Sequence, residues 1–360
     1  MIAGVLSIHS VVLASLLGTG WFETIFKKGR VLAYVAALVL GFFIGFRDPS
    51  VGPDTHAYVE NFMDIASGGI GLVQFEYGYS FFERTFAMAG LSYQDFFVFI
   101  GVTSMLLLAR YAVIWSVMPL ISIAYYFSRY LMSRDLNQIR QAVACIILLF
   151  AIKYIVQKSL TKFIMTVGIA SLFHLGALIM VLAYVLYNYY FSDSQLLVRK
   201  TAILMAVATF GNKLFNPIMK WMSDTSDRGG TYVSDTVNLG SSQSITMILS
   251  FELVLLILLL IYINKHPDDL KTLQTTIVYI TGIFVLIAFR EYPTVAARTS
   301  SFITTCEIVL FIPAMMGLLS ILGIKQTKYV TYLVSVLFVI VVYYLNSLSA
   351  ISGYLPPEQF

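Results

Sequence analysis

Arginine forks and a few carboxylates define the chemistry open to this chain. Arg47, Arg134, Arg140, Arg290 and Arg298 each fall at or near the end of an apolar run, and threading those runs back and forth brings all five to one side. A planar guanidinium binds phosphate or carboxylate through two parallel hydrogen bonds and keeps its charge in a partly dry site. An anionic ligand at a membrane surface, such as a lipid-linked phosphate, is therefore expected there. The plainer alternative is snorkelling to lipid head groups or pairing with Asp48, Asp135 and Glu291. The stretch FRDPSVGPDTHAYVENF, residues 46–62, adds Asp54, His56 and Tyr58 beside Arg47, and Pro49, Gly52 and Pro53 oppose a helix, so its side chains are expected to be presented. One Asp-x-His without a further spaced cluster is weak evidence for a metal, and none is expected. Downstream, FEYGYSFFERTF sets Glu76, Glu83 and Arg84 on an aromatic segment of interfacial character. Glu76 is there either a proton acceptor or the partner of an arginine. His174, in FHLGALIM between two short apolar runs, either takes the proton of an attacking hydroxyl or caps backbone groups at a helix junction.

Membrane helices must position these groups. Of the 360 residues 59% are hydrophobic and 12% charged, against roughly 25% charged in soluble domains, which excludes a water-soluble single domain. The apolar runs are long enough to cross a bilayer and recur through the whole length. They predict an all-α polytopic membrane protein, one transmembrane domain over residues 1–360, with about twelve transmembrane helices: 2–25, 31–46, 93–109, 112–132, 139–156, 160–173, 175–191, 201–215, 246–264, 273–289, 299–322 and 329–347. With Lys27, Lys28 and Arg30 placed inside, 13 basic residues fall inside and 10 outside. Lysine discriminates better, since ten of twelve fall inside and only Lys213 and Lys220 outside, the bias that the positive-inside rule expects. Two loops on the outer side are long, about 47–92 and 216–245, and the second is rich in Ser, Thr, Asp and Gly, which predicts an irregular segment. The net charge of +4 is spread over many loops, so nucleic-acid binding has no support. Cys145 and Cys306 both lie inside apolar runs, which argues against a disulfide framework. Neither a P-loop nor a dinucleotide fingerprint, a Gly-x-Ser-x-Gly elbow or zinc-ligand spacing is present, and no cofactor is expected.

In pattern and order the chain resembles the EpsG-like branch of the Wzy polysaccharide polymerases. The residues that carry the resemblance are Arg47 followed by Val51, Gly52, Asp54 and Tyr58; then Glu76, Gly78 and Tyr79; then Arg140, Gln141 and Ala144. Next come Lys158 and Lys162 leading to Phe173, His174 and Ala177, and last Arg298 with Phe302 and Pro313. The 216–245 loop has no counterpart motif. The resemblance implies a GT-C-like membrane glycosyltransferase with two longer periplasmic loops, at the outer face of the bacterial inner membrane. Its expected reaction joins undecaprenyl-pyrophosphate-linked oligosaccharide to the growing polysaccharide, without a metal. The residues themselves fit that reaction: Arg47, Arg134, Arg140, Arg290 and Arg298 are expected to hold the pyrophosphate, and His174 or Glu76, with Asp54 third, to take the proton of the attacking hydroxyl. His56, Tyr58, Tyr79 and Gln141 are assigned to the sugars. The lipid bilayer is an expected partner, and a chain-length-regulating copolymerase is left open. Two rival functions share the anionic lipid substrate: a lipid-linked oligosaccharide flippase or transporter, and an O-antigen ligase-type transferase. Alternating access needs a charged cavity reachable from both sides, which the one-sided arginines oppose.

Overall fold

The computed structural model describes residues 2–26, 29–52, 54–192, 196–211 and 244–354, with positions 213 and 217. The 216–245 loop therefore lies almost wholly outside the described residues. The described chain is helical: α1 Ile2–Phe26, α2 Gly29–Gly45, α3 Thr55–Ala66, α4 Tyr77–Met88, α5 Tyr93–Trp115 and α6 Pro119–Tyr126, the last widening into a π-turn over Phe127–Leu131. Then follow α7 Ile139–Val156, α8 Leu160–Ser171, a tight helical turn Leu175–Ile179, α9 Met180–Val185, α10 Leu197–Gly211, α11 Ile245–Lys265 and α12 Leu270–Ala288. The last three are α13 Pro293–Thr304, α14 Glu307–Ile321 and α15 Lys328–Tyr354.

Six helices are long and apolar enough to cross a membrane, and seven if α13 and α14 count as one broken span. Three further apolar helices, Gly29–Gly45, Leu160–Ser171 and Leu175–Tyr190, are shorter, so the twelve spans expected from the sequence exceed what length and composition support. Two expected boundaries move. Arg110 does not end a helix: it lies on the exposed face of α5, which runs on to Trp115. The break comes at Ser116, whose hydroxyl accepts from the Met118 N–H, and at Pro119, which opens α6. The expected span 299–322 is instead two helices meeting at an 82° bend around Thr305 and Cys306. Arg134 donates to the Thr305 hydroxyl at 2.6 Å at that bend, which holds it from another part of the chain.

Close helix contact is made by small residues, as packing without a hydrophobic drive requires. A Cβ on Gly41 would lie 2.5 Å from the Val102 Cα, and one on Gly45 2.5 Å from the Val98 Cα, so α2 and α5 touch backbone to backbone. The bundle interior is one large apolar cluster. A second, aromatic cluster lies at one end of it, where Tyr58, Phe62 and Tyr79 of α3 and α4 pack on Phe96 and Phe97 of α5 and Ile139 and Val143 of α7. The expected long loop at 47–92 is thus largely a helical layer, with Arg47, Thr55 and Tyr58 buried rather than presented.

Candidate functional site

The helical layer is fixed over the start of α7 by backbone contacts. Asn137 accepts from the Asp54 N–H at 2.8 Å, and the Thr55 hydroxyl donates to the Leu136 carbonyl. Gly52 takes a positive φ of 83°, and a Cβ there would lie 2.5 Å from the Leu136 oxygen, so the turn needs glycine. Below, the Gly78 N–H donates to the Leu172 carbonyl at 2.7 Å and ties α4 to the end of α8. Around these anchors five segments meet at one cavity of about 310 Å³, lined by Asp54, Tyr58, Arg140, Gln141, His174 and Arg298 together with Phe75 and Gln138.

Arg140 is held from several sides. It donates through Nη1 to Glu76 and through Nε to the Tyr58 hydroxyl, and its guanidinium lies 4.5 Å over the Phe75 ring. Gln141, one residue on, donates to the Arg298 carbonyl at 3.1 Å and to the Ser301 hydroxyl at 2.7 Å, which seats the first turns of α13 beside α7. Burial raises the Asp54 carboxyl above the ordinary carboxylate value, while Arg298 and Arg140 pull it down. Burial pushes the His174 imidazole down to about 4, with Glu76 opposing and Arg140 and Arg298 adding to the fall. His174 is therefore neutral at neutral pH. Its Nδ1 accepts from the Gly176 N–H at 3.0 Å, which assigns the ring proton to Nε2. In that tautomer the free side of the ring donates a hydrogen bond and does not accept one. Phe302 of α13 packs on the same ring at 5.1 Å.

The other residues singled out in the sequence lie elsewhere. Tyr79 is fully buried beneath the cavity, its ring 5.5 Å from that of Tyr58. His56 faces outward with a side chain 71% exposed, 3.2 Å from Glu60. Arg47 is buried, donating to the Ile44 and Asp135 carbonyls with its guanidinium 4.2 Å over Phe97. Arg134 is buried over the Tyr130 ring, and Arg290 donates to the Thr209 carbonyl. Of the five arginines, Arg140 and Arg298 line the cavity.

Sequence reasoning missed a buried ionic cluster deeper in the bundle. Arg129 lies 3.4 Å from Glu307 and 3.5 Å from Glu252, with Tyr130 on Glu307 and Tyr279 on Glu252. The π-turn after α6 directs both Arg129 and Tyr130 into this cluster. A lone carboxylate inside an apolar run, as in ILSFELVLL and TTCEIVLF, is the signal that could have found it. Among the described residues no group of three or more His, Cys, Asp or Glu side chains is placed to hold a metal ion.

Residues 30–357 match a family model described as the EpsG family. No curated protein and no solved structure matches the chain.

Proposed function

The chain belongs to the EpsG family, and on that premise we propose that it is a membrane glycosyltransferase that polymerises bacterial surface polysaccharide. Donor and acceptor are oligosaccharides linked to undecaprenyl pyrophosphate, and the cavity faces the periplasmic side of the inner membrane. The observation that carries this reading is the convergence of Arg140, Arg298, Asp54 and His174, with Glu76 on Arg140, in one cavity beside apolar helices.

The chemistry follows from those groups. The terminal hydroxyl oxygen of the acceptor attacks the anomeric carbon of the donor. The bond from that carbon to the pyrophosphate oxygen breaks, and its electron pair leaves with undecaprenyl pyrophosphate. Fixed cations stabilise that charge as it develops, which is the part of Arg140 and Arg298. Arg140 Nη2 has no protein partner among the described residues and stays available for a phosphate oxygen. A carboxylate must take the hydroxyl proton. A pyrophosphate, more highly charged than a carboxylate, draws Arg140 away from Glu76 and frees Glu76 for that task, with Asp54 of the cavity lining as the other candidate. His174 donates from Nε2 to a sugar or leaving-group oxygen. Tyr58 and Gln141 complete the sugar-facing wall, and apolar surfaces between helices hold the lipid tails.

The test is purified protein in detergent with one lipid-linked repeat unit and a metal chelator, with products resolved by length. A ladder of longer chains is the expected result. Movement of the same lipid across liposome bilayers without any ladder would replace this reading with transport.

A further inference from the structure

A second cavity, about 620 Å³, opens beside the first, lined by α3, α4 and the segment between them, and Val73 and Phe75 line both. Its volume lies within the range of small-molecule sites. Its walls are built in advance. Asn61 accepts from the Val73 N–H at 2.7 Å, Asp64 accepts from the Gly71 N–H at 2.9 Å, and Arg84 donates to the Ile70 carbonyl at 2.5 Å. The lining is mostly apolar and aromatic, with Tyr77 77% and Phe81 55% exposed.

One buried ionisable group stands out against the apolar part of the lining. Glu83 lines the cavity yet is fully buried. Its Oε2 accepts from the Asn61 amide at 2.9 Å, and its Oε1 has no hydrogen-bond partner among the described residues. A buried carboxyl oxygen left unpaired is costly, so a ligand that brings a donor gains there. A saccharide offers hydroxyl donors for Oε1 and C–H faces for Tyr77 and Phe81. A prenyl tail offers no donor and would leave Oε1 unpaired.

We infer that this cavity is a second saccharide subsite, in which Glu83 accepts a hydrogen bond from a sugar hydroxyl and the aromatic wall takes the ring face. The inference rests on the proposed function for the kind of ligand: the subsite holds the sugars beyond the reacting one, and Phe75 divides it from the transfer cavity.

The experiment uses the full-length protein in detergent at pH 8. The probes are the free oligosaccharide released by mild acid from the organism's own lipid-linked repeat, and farnesyl pyrophosphate. Affinities are read by saturation-transfer NMR titration for wild type, Glu83→Gln and Tyr77→Ala. Replacing a charged acceptor by a neutral one should weaken oligosaccharide binding about fivefold, with a similar loss for Tyr77→Ala and farnesyl pyrophosphate unaffected. Unchanged oligosaccharide affinity in both variants overturns the subsite. So does a loss confined to farnesyl pyrophosphate, which identifies a prenyl groove. If Glu83→Gln fails to fold, the exposed Tyr77 carries the test alone. The two readings fail separately. Wild type that makes no ladder but binds oligosaccharide in a Tyr77- and Glu83-dependent way removes the polymerase and keeps the subsite. A wild-type ladder with unchanged affinities does the reverse.

Discussion

Arg140, in the first turn of α7, is ion-paired with Glu76, the residue that precedes α4, across a sequence separation of 64. The pair bridges the helical layer and the bundle, so the Arg140 guanidinium is already engaged on one side. Arg140→Ala should lower polymer formation at least about 100-fold, the scale of losing one fixed charge stabiliser. Arg140→Lys, lacking the fork, should restore little. Quantifying ladder products per unit of purified protein checks both; an active Arg140→Ala enzyme would remove the pyrophosphate role.

Glu76→Gln keeps the shape and a hydrogen bond to Arg140 but cannot accept a proton. Its turnover should fall about 100-fold or more while half-saturation by the lipid-linked repeat changes little. Asp54→Asn, assayed alongside, distinguishes the two carboxylates: the larger loss in turnover identifies the base.

His174 caps the Leu175–Ile179 turn by accepting from Gly176. His174→Ala should lose about 1 kcal/mol of stability, as other cap removals do. His174→Gln, whose side-chain oxygen can still accept, should recover the melting temperature. Product formation by His174→Ala close to wild type, per unit of folded protein, would leave the residue a structural role only.

Arg47 and Arg298 occupy similar places at helix ends in the sequence but differ in surroundings. Arg47→Ala strips the Ile44 and Asp135 carbonyls of a buried donor and should lower the melting temperature by several degrees and the yield of folded protein. Arg298→Ala should leave yield and melting temperature near wild type and abolish the ladder.

Burial pushes the Glu83 carboxyl up to about 7, with Asn61, Arg84 and Arg140 opposing. The folded chain thus holds a proton that the unfolded chain releases near the ordinary carboxylate value. The resulting stability is present in full at low pH and is lost as pH rises from about 4.5 through about 7. Thermal melts of wild type and Glu83→Gln from pH 5 to 8 should show the wild type falling relative to the variant across that window. Parallel curves would contradict the shift.

The helical class was legible because long apolar runs are written directly in the order of the residues. The break at 116–118 was not, since Arg110 offered the stronger charge signal while Ser116 and Pro119 did the work. In the site, Asp54, Tyr58, Arg140, Gln141, His174 and Arg298 were legible as separate motifs, and the fold brings them to one cavity. Arg47, Arg134 and Arg290 carry the same local signature as Arg140. Only long-range partners distinguish them, the Asp135 carbonyl, Thr305 and the Thr209 carbonyl, and no local pattern records those. Glu83 was noted beside Glu76 but passed over, because its burial depends on how α4 lies against α3 and α5.

The 82° bend between α13 and α14 also bears on how this chain can vary. Inserting one residue into a helix turns everything beyond it by about 100°. An insertion early in α13, before Arg298, would swing Arg298 off the cavity and part Ser301 from Gln141. The same insertion late in α14, beyond Gly317, would be absorbed at the helix end and the turn before α15. Length changes should therefore be tolerated on one arm of the bend and eliminated on the other, giving one apolar stretch two different evolutionary clocks.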